Sequence, residues 1–227
     1  MPAEPASSTT ETSAPWWQRH VELVVVIMLG VVSVATAYTS FQSSLYGGQS
    51  ADQLSQSEAS ATLAESLYLE GNQQYVQDSQ TIQQLSALNI AAQAGDAVAS
   101  AQYDDLYFIG VSEELDTAIQ NAFALDESEP DFWHDPQADE DYLDALFGSY
   151  QDQSVISDDL RAEGNDLGKN GDTLGLYTAL MAITLFLLGI AAVVRRPLMK
   201  WVLVATGGLI FLITAILTAT IPFVWIA

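Results

Sequence analysis

Asp131, His134, Asp135 and Asp139 crowd a short turn around Trp133, and Glu140 and Asp141 follow directly. Oxygen-rich clusters of this kind bind Ca²⁺, and a histidine among carboxylates can hold Zn²⁺ or another transition metal. The central Gly and terminal Glu of an EF-hand loop are missing. The competing reading is a solvated loop in which Asp139 and Glu140 favour the start of the next helix through its dipole. These four residues are the candidate ligands, and a divalent cation is the one cofactor the sequence suggests. A second polar stretch, Asn165, Asp166, Lys169, Asn170 and Asp172, sits among glycines. Its spacing does not match a Ca²⁺ loop, and it reads as a hinge before the next apolar run.

Little else in the chain offers chemistry. His20 and His134 are the only histidines, and there is no cysteine. Disulfides, thiolate metal sites and thiol catalysis are therefore excluded. No serine or threonine lies in a recognisable nucleophile motif. The expectation is a protein that is not an enzyme.

The elements that must position these residues are helices, three of them in a membrane. Residues 1–15 are rich in Pro, Ser, Thr and Ala and read as a disordered tail. Trp16-Trp17-Gln18-Arg19-His20 suits the headgroup zone, so 1–20 form a tail and interfacial anchor. Residues 21–41 are apolar apart from Glu22. About 20 residues at roughly 1.5 Å each span a hydrocarbon core of roughly 30 Å. Ala35-Thr36-Ala37 resembles a signal cleavage site, but the apolar stretch is long for a signal peptide and its flank weakly basic. A retained anchor is expected. Further spans cover 174–194 and 201–221, joined by a basic turn at 195–200, with 222–227 as the C-terminal end.

Gly30, Ser33 and Ala37 give the first span a small-residue face for helix packing or oligomer contacts, and Gly207-Gly208 does the same for the third. The alternative is a pore lined by the hydroxyls of Ser33, Thr36, Tyr38, Thr39 and Ser40. No ionisable residue lies within a span beyond Glu22, which argues against a proton relay. Arg19, Arg195, Arg196 and Lys200 all fall on one side of a three-span arrangement, and the positive-inside rule makes that side cytoplasmic. The expected location is the plasma membrane, with a cytoplasmic N-terminus and with 42–173 and the C-terminus outside.

The outer segment reads as helical. Leu54, Ala61, Tyr68, Tyr75 and Ile82 recur every seven residues, and Ala64, Gly71 and Leu85 lie three further on, with Asp78 in the same row. Tyr68, Tyr75 and Ile82 are the candidate packing or oligomer contacts. Gly95-Asp96 suggests a break. A second helix is expected over about 97–125, with the stripe Tyr107, Val111, Leu115, Ala118, Ala122 and Leu125. A third is expected over about 137–163, with Tyr142, Leu146, Tyr150, Gln153, Ile156 and Leu160. The fold class is thus all-α: three transmembrane helices carrying an extended acidic helical bundle, coiled-coil-like, outside the membrane.

Charge is distributed unevenly. Residues 42–175 hold 26 of the 29 acids and only two bases, Arg161 and Lys169. Such a segment repels phosphate backbones, so no nucleic-acid partner is expected. The acidity reads either as solvation suited to a high-salt habitat or as a cation-attracting vestibule.

In layout, and in two stretches, the chain resembles a bacterial family of three-span membrane proteins with a helical segment between spans one and two. The stretches are Gln53-Leu54-Ser55-Gln56-Ser57-Glu58-Ala59-Ser60 and the closing hairpin, from Arg195-Arg196 through Trp201 to Gly207-Gly208. The resemblance implies the architecture but carries no activity. The expected partners are the lipid bilayer and either further copies of the chain or a larger membrane complex. The first functional expectation is a non-enzymatic structural or accessory scaffold. The alternatives are a homo-oligomeric cation channel with an acidic vestibule and a metal- or ligand-sensing outer domain.

Overall fold

The computed structural model describes residues 16–129 and 131–225, with side chains from Val21 onward. The tail expected over 1–15 and the side chains of Trp16, Trp17, Arg19 and His20 lie outside the described residues. The described chain has no strand. Its elements are α1 (Trp16–Gln93), α2 (Ala97–Gly110), α3 (Glu113–Ser128), a 3₁₀ turn (Pro136–Ala138), α4 (Glu140–Val193) and α5 (Pro197–Thr220). Helices α1, α4 and α5 each contain a stretch long and apolar enough to cross a membrane.

The helix ends follow local chemistry. Gly95 adopts a positive φ of 98°, and Asp96 caps α2 by accepting from the Val98 and Ala99 N–H groups. The single helix expected over 97–125 is instead two. Ser112 has extended backbone and accepts from the Leu115 N–H, so α3 restarts with Glu113, Glu114 and Asp116 in its first turn. The expected third helix starts at Glu140 and runs on to Val193, straight through the stretch read as a hinge.

The chain divides into two compact units, one made of residues up to 52 with those from 164 onward, the other of residues 53–163. In the first unit, Val25, Val32, Thr39 and Tyr46 recur every seven residues on α1 and are all buried. Val25 and Val32 join a core that includes Met181, Leu188 and Ala191 of α4 and Val204 of α5. Here the glycines of the supposed hinge have another role. The Ser50 hydroxyl donates to the Gly164 carbonyl at 2.7 Å, and Ser43 donates to that of Gly171 at 2.8 Å. A Cβ at Gly168 would stand 3.1 Å from Ser50 Oγ, and one at Gly171 3.3 Å from Tyr46 Cβ. The glycines let α1 approach the α4 backbone closely, and the helix stays unbroken because neither Gly nor Asn forbids helical backbone when packing supports it.

The first unit is closed by an irregular segment that follows α5. The Gln42 amide pairs with both backbone groups of Val224, donating to the carbonyl at 3.2 Å and accepting from the N–H at 3.1 Å. The Tyr46 hydroxyl donates to the Pro222 carbonyl at 2.7 Å. The Phe223 ring stacks on Tyr38, with centroids 6.3 Å apart. Pro222 ends the α5 ladder, and buried polar side chains of α1 satisfy the backbone released there.

In the second unit the buried row of α1 is Ser57, Ala64, Gly71, Asp78 and Leu85, again every seven residues. The segments 53–93 and 140–163 pack antiparallel. Ser57 donates to the Ser157 carbonyl at 2.8 Å, and Ser157 returns a bond to the Ser57 carbonyl at 3.0 Å. At Gly71 any Cβ would collide with the Leu146 carbonyl. Leu115, Ala118 and Ile119 of α3 close the core against Tyr142, with Tyr75, Ile82 and Leu146 packed around them. Leu115 is fully buried, and such a side chain contributes about 1.5–3 kcal/mol.

Candidate functional site

The acidic turn is a built structure. The Asp126 carboxyl, near the end of α3, accepts the His134 backbone N–H at 2.8 Å, and His134 Nδ1 lies 2.8 Å from the same oxygen. These side-chain and backbone bonds from His134 hold Asp126 below the usual carboxylate range. His134 Nε2 is 3.9 Å from the Glu129 carboxylate. The four residues expected to ligate a cation are not brought to one point. Asp135 caps the 3₁₀ turn by accepting from the Gln137 N–H at 3.0 Å. Asp139 caps α4, accepting from the Tyr142 N–H at 3.0 Å and from the Asn121 side chain at 3.0 Å. Those donors lower the Asp139 pKa, Asn121 most. Asp131 is exposed. Among the described residues no three His, Asp or Glu side chains are placed to share an ion. Two of the carboxylates that sequence proximity gathers, Asp135 and Asp139, start helical turns.

Next to this turn lies a cavity of about 200 Å³, lined by Leu85, Tyr103, Ile119, Phe123, Trp133 and His134 among others. Trp133 is 74% exposed. The 3₁₀ turn is tied to α1 through Gln137, whose amide donates to Ser79 Oγ at 2.7 Å.

Below the turn is a group that the sequence marked only as a flaw in the heptad row. Asp78 is 1% exposed. Its carboxyl accepts from Gln74 Nε2 at 2.9 Å, Tyr142 OH at 2.9 Å and Ser112 Oγ at 3.2 Å. One side chain therefore ties α1, the start of α3 and α4 together. Burial and the bond to Asp78 push the Tyr142 phenol well above its ordinary value. On α2 the Tyr107 hydroxyl donates to Asp116 at 2.5 Å, and burial with that bond pushes its pKa up to about 12. A polar residue in an otherwise apolar row was the available signal, but two of its three donors come from positions 34 and 64 residues away.

The candidate oligomer residues of α1 have partners within the chain. Tyr68 packs against Tyr150 and Phe147 with centroids 5.3 and 5.8 Å apart, and Tyr75 against Tyr142 at 6.4 Å. Ile82 packs on the Leu115 cluster. Gly30, Ser33 and Ala37 lie on an exposed face of α1, and nothing stands within 4 Å of a Cβ built on Gly30. Packing of α1 inside its unit runs through Val25, Val32 and Thr39 instead, because the larger side chains fill the three-helix core. Ser33 and Thr36 return their hydroxyls to the Leu29 and Val32 carbonyls at 2.7 Å. Val25, Val32, Met181 and Leu188 fill that core, and the Thr39, Thr184 and Thr214 side chains are buried on the same helices. Of the basic residues, Arg195 and Arg196 are exposed in the turn before α5, and Lys200 reaches Glu22 of α1 at 3.6 Å.

No protein-family model, curated protein or solved structure matches this chain.

Proposed function

We propose that this is a non-enzymatic accessory protein of the plasma membrane, whose acidic helical unit docks on a protein partner presenting an apolar surface rimmed by Lys and Arg. The observation that carries this reading is where the large apolar side chains of the acidic unit lie. Phe108, Ile109, Phe123, Phe132 and Trp133 are 63 to 87% exposed. Their unit, 53–163, has 23 acids against a single Arg161. Exposed aromatics suit the desolvated centre of an interface, and a surrounding field of one sign selects a partner of the other. A second copy of the chain is disfavoured by like charge. The charges of Arg19, Arg195, Arg196 and Lys200 support a cytoplasmic N-terminus and an outward acidic unit.

The test is the native mass of the full chain extracted gently from its own membranes, with co-purifying chains identified. The reading expects a fixed stoichiometry with a second protein. Phe108→Ser with Ile109→Ser removes two exposed side chains and leaves the core intact, and it should release that partner. Retention of the partner by the double variant, or a homo-oligomer with no other chain, overturns the reading.

A further inference from the structure

Two neighbouring hollows on the first unit fit the two chemical halves of one molecule. The polar one has a volume of about 290 Å³ and is lined by Glu22, Val194, Arg195, Pro197, Lys200 and Trp201 among others. Its level is set by sequence. The apolar run of α1 begins at Val21, that of α4 ends at Val194, and that of α5 opens at Trp201, so this hollow sits where hydrocarbon meets water. The apolar one, about 470 Å³, is lined by Phe186, Gly189, Ile190, Val193 and Val194. Val193 and Val194 line both. The second hollow therefore leads from the first along α4 into the apolar stretch, and Gly189, with nothing within 4 Å of a built Cβ, leaves the notch open.

The charges in the polar hollow do not balance. Lys200 has only 13% of its side chain exposed, and among the described residues its one carboxylate within salt-bridge distance is Glu22 at 3.6 Å, itself 67% exposed. Arg195 makes no salt bridge among the described residues. Two cations thus face one loosely held carboxylate. The first turn of α5 adds to the positive field, since Pro197 opens it and no side chain caps it.

We propose that this pair of hollows binds an anionic phospholipid. Its phosphate lies against Arg195 and Lys200, and one acyl chain follows the groove over Gly189. Glu22 is the internal competitor: it holds Lys200 in place when the site is empty and yields it to the phosphate. Trp201, half exposed beside the hollow, supplies an amphipathic wall at headgroup depth. The apolar groove distinguishes this ligand from a free phosphate, which has no use for it.

The experiment is native mass spectrometry of the delipidated full chain, titrated separately with phosphatidylglycerol, phosphatidylethanolamine and inorganic phosphate. The proposal expects one phosphatidylglycerol retained per chain, in preference to phosphatidylethanolamine. Arg195→Gln, an exposed position, should weaken that retention about tenfold, the usual effect of losing one charge-assisted bond. Glu22→Gln should strengthen it by removing the competitor. Gly189→Leu should fill the notch and weaken lipid retention. Equal retention of the two lipids overturns the proposal, as does Glu22→Gln with unchanged or weaker retention. Displacement of the lipid by millimolar inorganic phosphate, with Gly189→Leu silent, would assign the site to a free anion and overturn the lipid.

Discussion

Asp78 is the residue on which the acidic unit turns. A buried carboxyl costs stability unless its lone pairs are used, and here three donors from three parts of the chain use them. Asp78→Ala leaves the Tyr142 and Ser112 hydroxyls without their acceptor and should cost about 2–4 kcal/mol, read as a lowered melting temperature of the tyrosine near-ultraviolet signal. A variant melting with the wild type would mean these bonds do not hold the unit together. The phenols give a second check. The folded pKa of Tyr107 is raised to about 12, so the fold favours the neutral ring. That contribution is complete below the ordinary tyrosine value near 10 and is lost as pH rises through about 12. Tyrosinate absorbance should therefore show Tyr107 and Tyr142 ionising late, with unfolding. A Tyr107→Phe variant should lose one late-titrating group. Full ionisation of all tyrosines by pH 11 in the folded protein would contradict both assignments.

At the scale of the helices, glycine has opposite meanings in α1. Gly71 is where the Leu146 carbonyl of α4 comes closest, so Gly71→Ala should destabilise the acidic unit by roughly 1–3 kcal/mol although alanine is the better helix former. Gly48 has nothing within 4 Å of a built Cβ. Gly48→Ala should gain roughly 0.5–1 kcal/mol from the same propensity with no steric penalty. Melting the two variants side by side separates contact from propensity, and equal shifts of one sign would remove the close approach. The glycine-rich stretch after Gly164 belongs with Gly71. Its composition suggested a hinge because Gly and Asn commonly mark turns, but Ser43, Ser50 and Tyr46 come close enough to need the missing side chains. In the same way the stripe marked the right face from Tyr107 to Ala122, although Leu125 at its end is exposed, while hiding the break at Ser112. Periodicity carries across a short interruption, and a cap is a matter of two or three hydrogen bonds.

Across the whole molecule the dominant quantity is charge. A unit with 23 acids and one Arg is destabilised by its own repulsion, and the screening length shrinks from about 10 Å at 0.1 M salt to about 3 Å at 1 M. The melting temperature of the full chain should rise by about 5 °C or more between 0.1 and 2 M KCl. A flat response would mean that the acids are spaced too widely to repel, and that solvation in salt does not explain them. The same field bears on the proposed docking. Association with a basic partner should weaken as salt rises even while the unit itself becomes more stable.

The sequence by itself determined the helical class, the three apolar stretches able to cross a membrane, the placement of the acids and the seven-residue rows. Each of these depends on composition or on a repeat along one chain, which neighbours in space cannot alter. Only the tertiary structure decided that Asp135 and Asp139 cap helical turns, and that Tyr68 and Tyr75 meet α4. It alone decided that Gly164 and Gly171 are contacts, that the buried Asp78 has three donors, and that Gln42 holds the irregular segment after α5. In each case the partner lies far off in sequence or competes with a nearer one, and only packing settles which hydrogen bond forms.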